Sequence, residues 1–66
     1  MNYYTLTFTD DKSYSVASEV NMKDFIKHIR RHVTEYYFGT TAYLNHPVRV
    51  QQVAQADKVY EKWSNF

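Results

Sequence analysis

"YYTLTFTDDKSYSVA", residues 3–17, contains two runs that alternate apolar and polar side chains. A period of two is the repeat of a strand with one buried face. In the first run Tyr4, Leu6 and Phe8 share one face, and Thr5, Thr7 and Thr9 the other. In the second, Tyr14 and Val16 stand between serines. The "DDK" between them reads as a turn, because Asp10 and Asp11 can accept hydrogen bonds from nearby backbone N–H groups. The stretch predicts a β-hairpin with an aromatic inner face and a Thr/Ser outer face, which Tyr3 shares.

Downstream the period changes. In "NMKDFIKHIRRHV", residues 21–33, Asn21 has the chemistry of an N-cap and Asp24 stands at N3, where its charge suits the positive helix end. Val20 and Phe25 occupy the two positions of a hydrophobic staple. Met22, Phe25, Ile26, Ile29, Val33, Tyr36 and Tyr37 then make one helical stripe. Gly39, the only glycine, stands where a left-handed cap ends a helix. These signals predict a helix over 22–38, although "VTEYYF" also has strand propensity. Residues 40–44 read as a third strand, "NHP" as a turn because His46 precedes Pro47, and "VRVQQ" as another strand. From Val53 the residues Val53, Ala56, Val59, Tyr60 and Trp63 fit a helical stripe, with a continued strand as the competing reading. The expected architecture is a single α+β domain over 1–66. It comprises a hairpin, an amphipathic helix, one or two further antiparallel strands and a short C-terminal helix.

Composition narrows the function classes. A chain of 66 residues buries about 60% of its unfolded surface, so its stability is marginal. It has no cysteine, which removes disulfides and thiolate zinc sites. Apolar residues make up 44%, including seven Tyr, four Phe and one Trp, enough ring area to build a core in so short a chain. The formal charge is +1, so any polyanion-binding surface would have to be local. The N-terminus lacks the basic and apolar regions of a secretory leader, and no run approaches the ~20 apolar residues of a membrane span. A cytoplasmic location is expected on these grounds. Lys, Asn, Tyr, Phe and Ile are well represented while Gly and Pro occur once each. AT-rich codons produce that bias, as in a low-GC bacterium or its phage.

Chemistry-bearing constellations are few. His28 and His32 have the i, i+4 spacing by which one helix face offers two ligands to zinc. The residues between them include Arg30 and Arg31, which oppose a cation, and a third ligand such as His46 or Asp57 would have to come from elsewhere. His32 reads better as a boundary residue with a polar tip. No serine sits in a nucleophile motif, and there is no glycine-rich phosphate loop. Asp57 and Glu61 read as a solvated helix face beside Lys58 and Lys62. No catalytic residue, cofactor or metal is expected.

The aromatic excess remains. Tyr43, Tyr60, Trp63 and Phe66 crowd the second half of the chain, and interface anchors are enriched in Tyr and Trp. The expected function is a small non-enzymatic protein-interaction module, of the kind a phage or prophage uses to bind and modulate a host protein, or one that associates with itself. The alternative is a small DNA- or RNA-binding regulator. It would use the basic face of helix 22–38, where Lys23, Lys27, Arg30 and Arg31 cluster opposite the Ile29 side. Asp24 and Glu35 border that face and lower its net charge.

Overall fold

A computed structural model describes residues 1–62 of the chain. Strands β1 (Asn2–Thr7) and β2 (Ser13–Ser18) pair antiparallel in unbroken register, from Asn2 opposite Ser18 to Thr7 opposite Ser13. The turn between them is closed by the Asp11 N–H donating to the Phe8 carbonyl and the Phe8 N–H to the Lys12 carbonyl, both at 3.0 Å. Asp11 takes a positive φ of 64°. Aspartate tolerates that left-handed conformation better than most residues. Asp10 Oδ1 accepts from the Lys12 N–H at 3.1 Å, so both aspartates serve the turn.

Helix α1 (Met22–His32) begins where the sequence signals converge. Asn21 Oδ1 accepts from the Asp24 N–H at 2.9 Å, and the Asn21 carbonyl receives the first helical bond from Phe25. Phe25 is fully buried and Val20 packs against the same cluster. The Val20 carbonyl also accepts the Tyr4 hydroxyl at 2.6 Å and Asn2 Nδ2 at 3.0 Å. These two bonds fasten the approach to the helix onto β1.

The helix stops at His32, six residues short of the predicted end. Val33 is already extended, and Tyr36–Phe38 form strand β3, paired antiparallel with β4 (Thr41–Tyr43) in a separate two-stranded sheet. Burial alternates along β3: Tyr36 and Phe38 face inward while Tyr37 is exposed. The β-branched and aromatic run therefore follows its strand propensity once each inward ring has a core to enter. Gly39 has the positive φ expected of it, 62°, in the two-residue turn of this hairpin. Positive φ at the first turn position alone is the type II′ pattern.

Strand β5 (Arg49–Val53) lies antiparallel beside β1, and β6 (Val59–Lys62) parallel beside β2. The main sheet therefore has the order β5-β1-β2-β6. The short helix expected after Val53 does not form among the described residues. Val53 is held in the sheet opposite Tyr3, residues 54–58 are irregular, and Val59 pairs with Ser15. Backbone groups on the free edges of β1 and β2 outweigh an apolar repeat of helical spacing, because strand pairing satisfies them along a whole row. Trp63, the last residue of that repeat, lies outside the described residues.

The result is an α+β fold in two layers. One face of the main sheet contributes Tyr4, Leu6, Phe8, Tyr14 and Val16, and α1 and the β3–β4 hairpin cover it with Phe25, Ile29, Tyr36 and Phe38. The rings are matched in pairs: Tyr4 stacks on Phe25 at 4.2 Å, Tyr14 on Phe38 at 4.4 Å and Phe8 on Tyr43 at 4.1 Å. Offset pairs of this kind contribute about 0.5–1.5 kcal/mol each beyond the area they bury. The opposite face, with Thr5, Thr7, Ser13 and Ser15, has no layer over it among the described residues. No helix among them is long and apolar enough to cross a membrane.

Candidate functional site

The second half of α1 and the segment leading into β5 do not close completely over the core. A cleft of about 220 Å³ opens between them. Ile29 is buried and Ile26, Pro47 and Val50 are half-buried, so its deeper part is apolar. Val48 is 63% exposed, and Arg30, His46 and Arg49 at the mouth are exposed as well. Each side is set by local structure. Ile26, Ile29 and Arg30 lie on consecutive turns of α1, where residues three and four apart share a face. Pro47 holds His46 in extended backbone, and the Val48 N–H donates to the Thr7 carbonyl at 2.8 Å, which joins the segment to the end of β1.

A polar pair fixes the other end of that segment. The Tyr36 hydroxyl lies 2.7 Å from His46 Nδ1 and 3.5 Å from the Ile29 and Val33 carbonyls. The first carbonyl lies in the last turn of α1 and the second on Val33, the residue that caps it, where backbone acceptors run short of partners. The hydroxyl has one proton to give. When a carbonyl takes it, the oxygen accepts from His46 Nδ1–H; when His46 takes it, Nδ1 is the acceptor. Either arrangement ties the 44–48 loop to Tyr36 of β3, and the first also links it through Tyr36 to the end of α1. Burial pushes the Tyr36 phenol up to about 12.

The cleft's cations have no counter-charge: neither the Arg30 nor the Arg49 side chain has an ion pair or hydrogen-bond partner among the described residues. The other helix cations, Lys23, Lys27 and Arg31, are exposed on the side of α1 away from Phe25 and Ile29. The structure thus separates the four cations of the predicted basic face, placing Arg30 at the cleft and leaving the rest on the solvent side. The His28 and His32 rings stand 5.0 Å apart. Burial, and then the neighbouring His32, hold His28 below its ordinary value. Among the described residues no third ligand joins them, neither His46 nor Asp57.

The aromatic residues singled out as contacts occupy different surroundings. Tyr43 is half-buried against Phe8, and its hydroxyl donates to Asp10 Oδ2 at 2.8 Å while receiving the Tyr14 hydroxyl at 2.9 Å. Burial, with these bonds, raises the Tyr43 phenol. Burial alone would raise Asp10, but the bonds from Tyr43 and from the Lys12 backbone, with the Lys12 charge, hold it below its ordinary value. The chain Tyr14–Tyr43–Asp10 fastens the β3–β4 hairpin to the β1–β2 turn. Tyr60 is half-buried edge-on to Tyr14 at 5.1 Å and Phe38 at 5.9 Å, with Lys58 Nζ 4.5 Å over its ring. Trp63 and Phe66 lie outside the described residues.

Sequence reasoning did not assemble the cleft. It saw Ile26 and Ile29 as core, His46 and Pro47 as turn, and Arg49 as one alternating position of a strand. One signal was available: "VRVQQV", 48–53, is a strand with a single charge at its start, beginning just after a proline. No protein-family model, curated protein or solved structure matches this chain.

Proposed function

We propose that this protein is a non-enzymatic protein-interaction module that captures its partner at the α1–β5 cleft. The observation that carries this reading is the pairing of an apolar floor with the Arg30 side chain, which has no counter-charge among the described residues, beside a second such arginine, Arg49, on the bordering strand. Anchors of protein interfaces fill apolar pockets, with arginines enriched around them. At about 220 Å³ the cleft falls below the roughly 300–1,000 Å³ of small-molecule sites and suits one or two side chains of a partner. The same loop exposes Leu44 and Val48, which extends the apolar contact beyond the cleft. A small module of this kind would serve a phage or prophage as a modulator of a host protein, in keeping with a composition rich in Lys, Asn, Tyr, Phe and Ile, which AT-rich codons produce. The second reading, a nucleic-acid binder, draws on the exposed Lys23, Lys27 and Arg31.

Affinity capture from a native cell extract separates the two. The wild-type chain is expected to retain a protein partner after nuclease treatment. Val48→Glu and Arg30→Glu, both at exposed positions, should lower capture at least tenfold with unchanged thermal unfolding. Capture that vanishes with nuclease and follows Lys27 and Arg31 instead would replace this reading with the nucleic-acid one.

A further inference from the structure

Beside the cleft lies a second feature that concerns the form of its occupant. Strand β5 has one neighbour, β1, and nothing among the described residues pairs with its outer edge. An edge strand presents a row of N–H and C=O groups without partners, and proteins usually blunt such edges with lysines, prolines, bulges or charges that point inward. Residues 49–53 contain no lysine or proline, and their pairing with β1 runs without a bulge from Tyr3–Val53 to Thr7–Arg49. Val50 and Gln52, opposite the buried Leu6 and Tyr4, take the helix-side positions and carry no charge. The opposite edge of the sheet differs: β6 pairs with a register irregularity at Ser15/Val16. The regular edge, with Arg49 as its one charge, is therefore the one that borders the cleft.

On the reading that the cleft is the partner site, we infer that its occupant is an extended segment of another protein, alternating acidic and apolar residues, that adds to β5 as a fifth strand. The register dictates the alternation. A strand laid along β5 stands about 4.8 Å from it and turns alternate side chains to opposite faces. Side chains level with Val50 face the helix layer and approach the floor of the cleft, formed by Ile26 and Ile29. Side chains level with Arg49 and Gln51 face the open side, where an acid opposite Arg49 gains a cross-strand charge pair. Arg30, at the cleft mouth, meets a carboxylate flanking the inserted apolar residue. Backbone hydrogen bonds supply affinity and the alternate positions supply selectivity, as in other cases of strand addition.

The test is an NMR titration of the full chain with blocked hexapeptides: alternating Glu/Val, alternating Lys/Val, and Glu/Val interrupted by a central proline. The Glu/Val peptide is expected to bind with a submillimolar Kd, shifting amides 48–53 and slowing their hydrogen exchange. The proline peptide should bind at least tenfold more weakly, since proline cannot donate to a ladder. Arg49→Glu should lose at least tenfold for Glu/Val and gain for Lys/Val, a reversal that simple loss of structure cannot produce. Equal binding of the proline peptide, preference of the wild type for Lys/Val, or no saturable shift at millimolar Glu/Val would each overturn the inference. So would concentration-dependent shifts of β5 without peptide, which would make a second copy the occupant, or saturation of the same amides by oligothymidine. Should the peptides fail while Val48→Glu still abolishes protein capture, the cleft stands and only the acidic strand falls. Capture left intact by Val48→Glu and Arg30→Glu removes the cleft itself.

Discussion

A phenol buried under a helix end resists giving up its proton, and Tyr36 shows the consequence for stability. Its ionisation is pushed from an ordinary value of 10.0 up to about 12. A group raised by folding contributes stability that is complete below its unfolded value and is lost as pH climbs through the folded one. Here the contribution is intact below pH 10 and gone above about 12. Burial raises Tyr4 against the opposing Asn2 bond, and Tyr43 is raised as well, so ionisation of these phenols also works against the fold. Tyr36→Phe should be less stable than wild type at neutral pH, having lost the bond to His46, yet lose less further stability between pH 10 and 12. Denaturant midpoints measured across that range check this. Parallel curves for the two proteins would show that Tyr36 ionises freely. The same substitution releases the 44–48 loop from β3, so it should also weaken capture at the cleft.

Helix α1 is the element in which local chemistry and tertiary packing agree most closely. Asn21→Ala removes the acceptor for the Asp24 N–H and should cost about 0.5–2 kcal/mol. Phe25→Ala removes a fully buried ring stacked on Tyr4 and should cost roughly 3–5 kcal/mol, enough to unfold most of a marginal domain. Thermal denaturation checks both, and a Phe25→Ala protein melting like wild type would remove that ring from the core. The hairpin of residues 3–17 and the start of α1 were legible in the sequence because alternation and capping are written within a few neighbouring residues. The end of α1 was not. Tyr36 and Tyr37 stand three and four residues after Val33, which continues a helical stripe as well as it begins a strand. Gly39 misled for a related reason, since one positive φ serves both a helix cap and a II′ turn. The stripe through Val53, Ala56 and Val59 belongs to no single element, and only pairing with distant β1 and β2 decides its conformation. The cleft was hidden for the same cause: Ile26 and Val48 are brought together by contacts that no local window contains.

At the scale of the whole molecule, stability is graded across the sheet. β1 and β2 occupy its centre, each with a neighbour on both sides, whereas β5 and β6 are edges. Native-state hydrogen exchange should therefore find the slowest amides in β1 and β2, exchanging by global unfolding, and faster ones in β6, where pairing is irregular. Protection of Val59 and Tyr60 equal to that of Leu6 would show that the sheet opens only as one unit. The parallel pairing of β6 with β2 also orders the assembly of the chain in time. Ser15 meets Val59, so this contact closes about two-thirds of the 66-residue polypeptide. Loop closure of that span is entropically costlier than closing the hairpin turn, though the cost grows only slowly with length. On a ribosome, β1, β2, α1 and the small hairpin are all synthesised before Val59 exists. During that interval the nascent chain carries two raw sheet borders, β5 and the uncovered side of β2. Among the described residues β6 later covers the second and becomes an edge itself, whereas the border beside the cleft keeps the same open row of backbone groups from its synthesis onward.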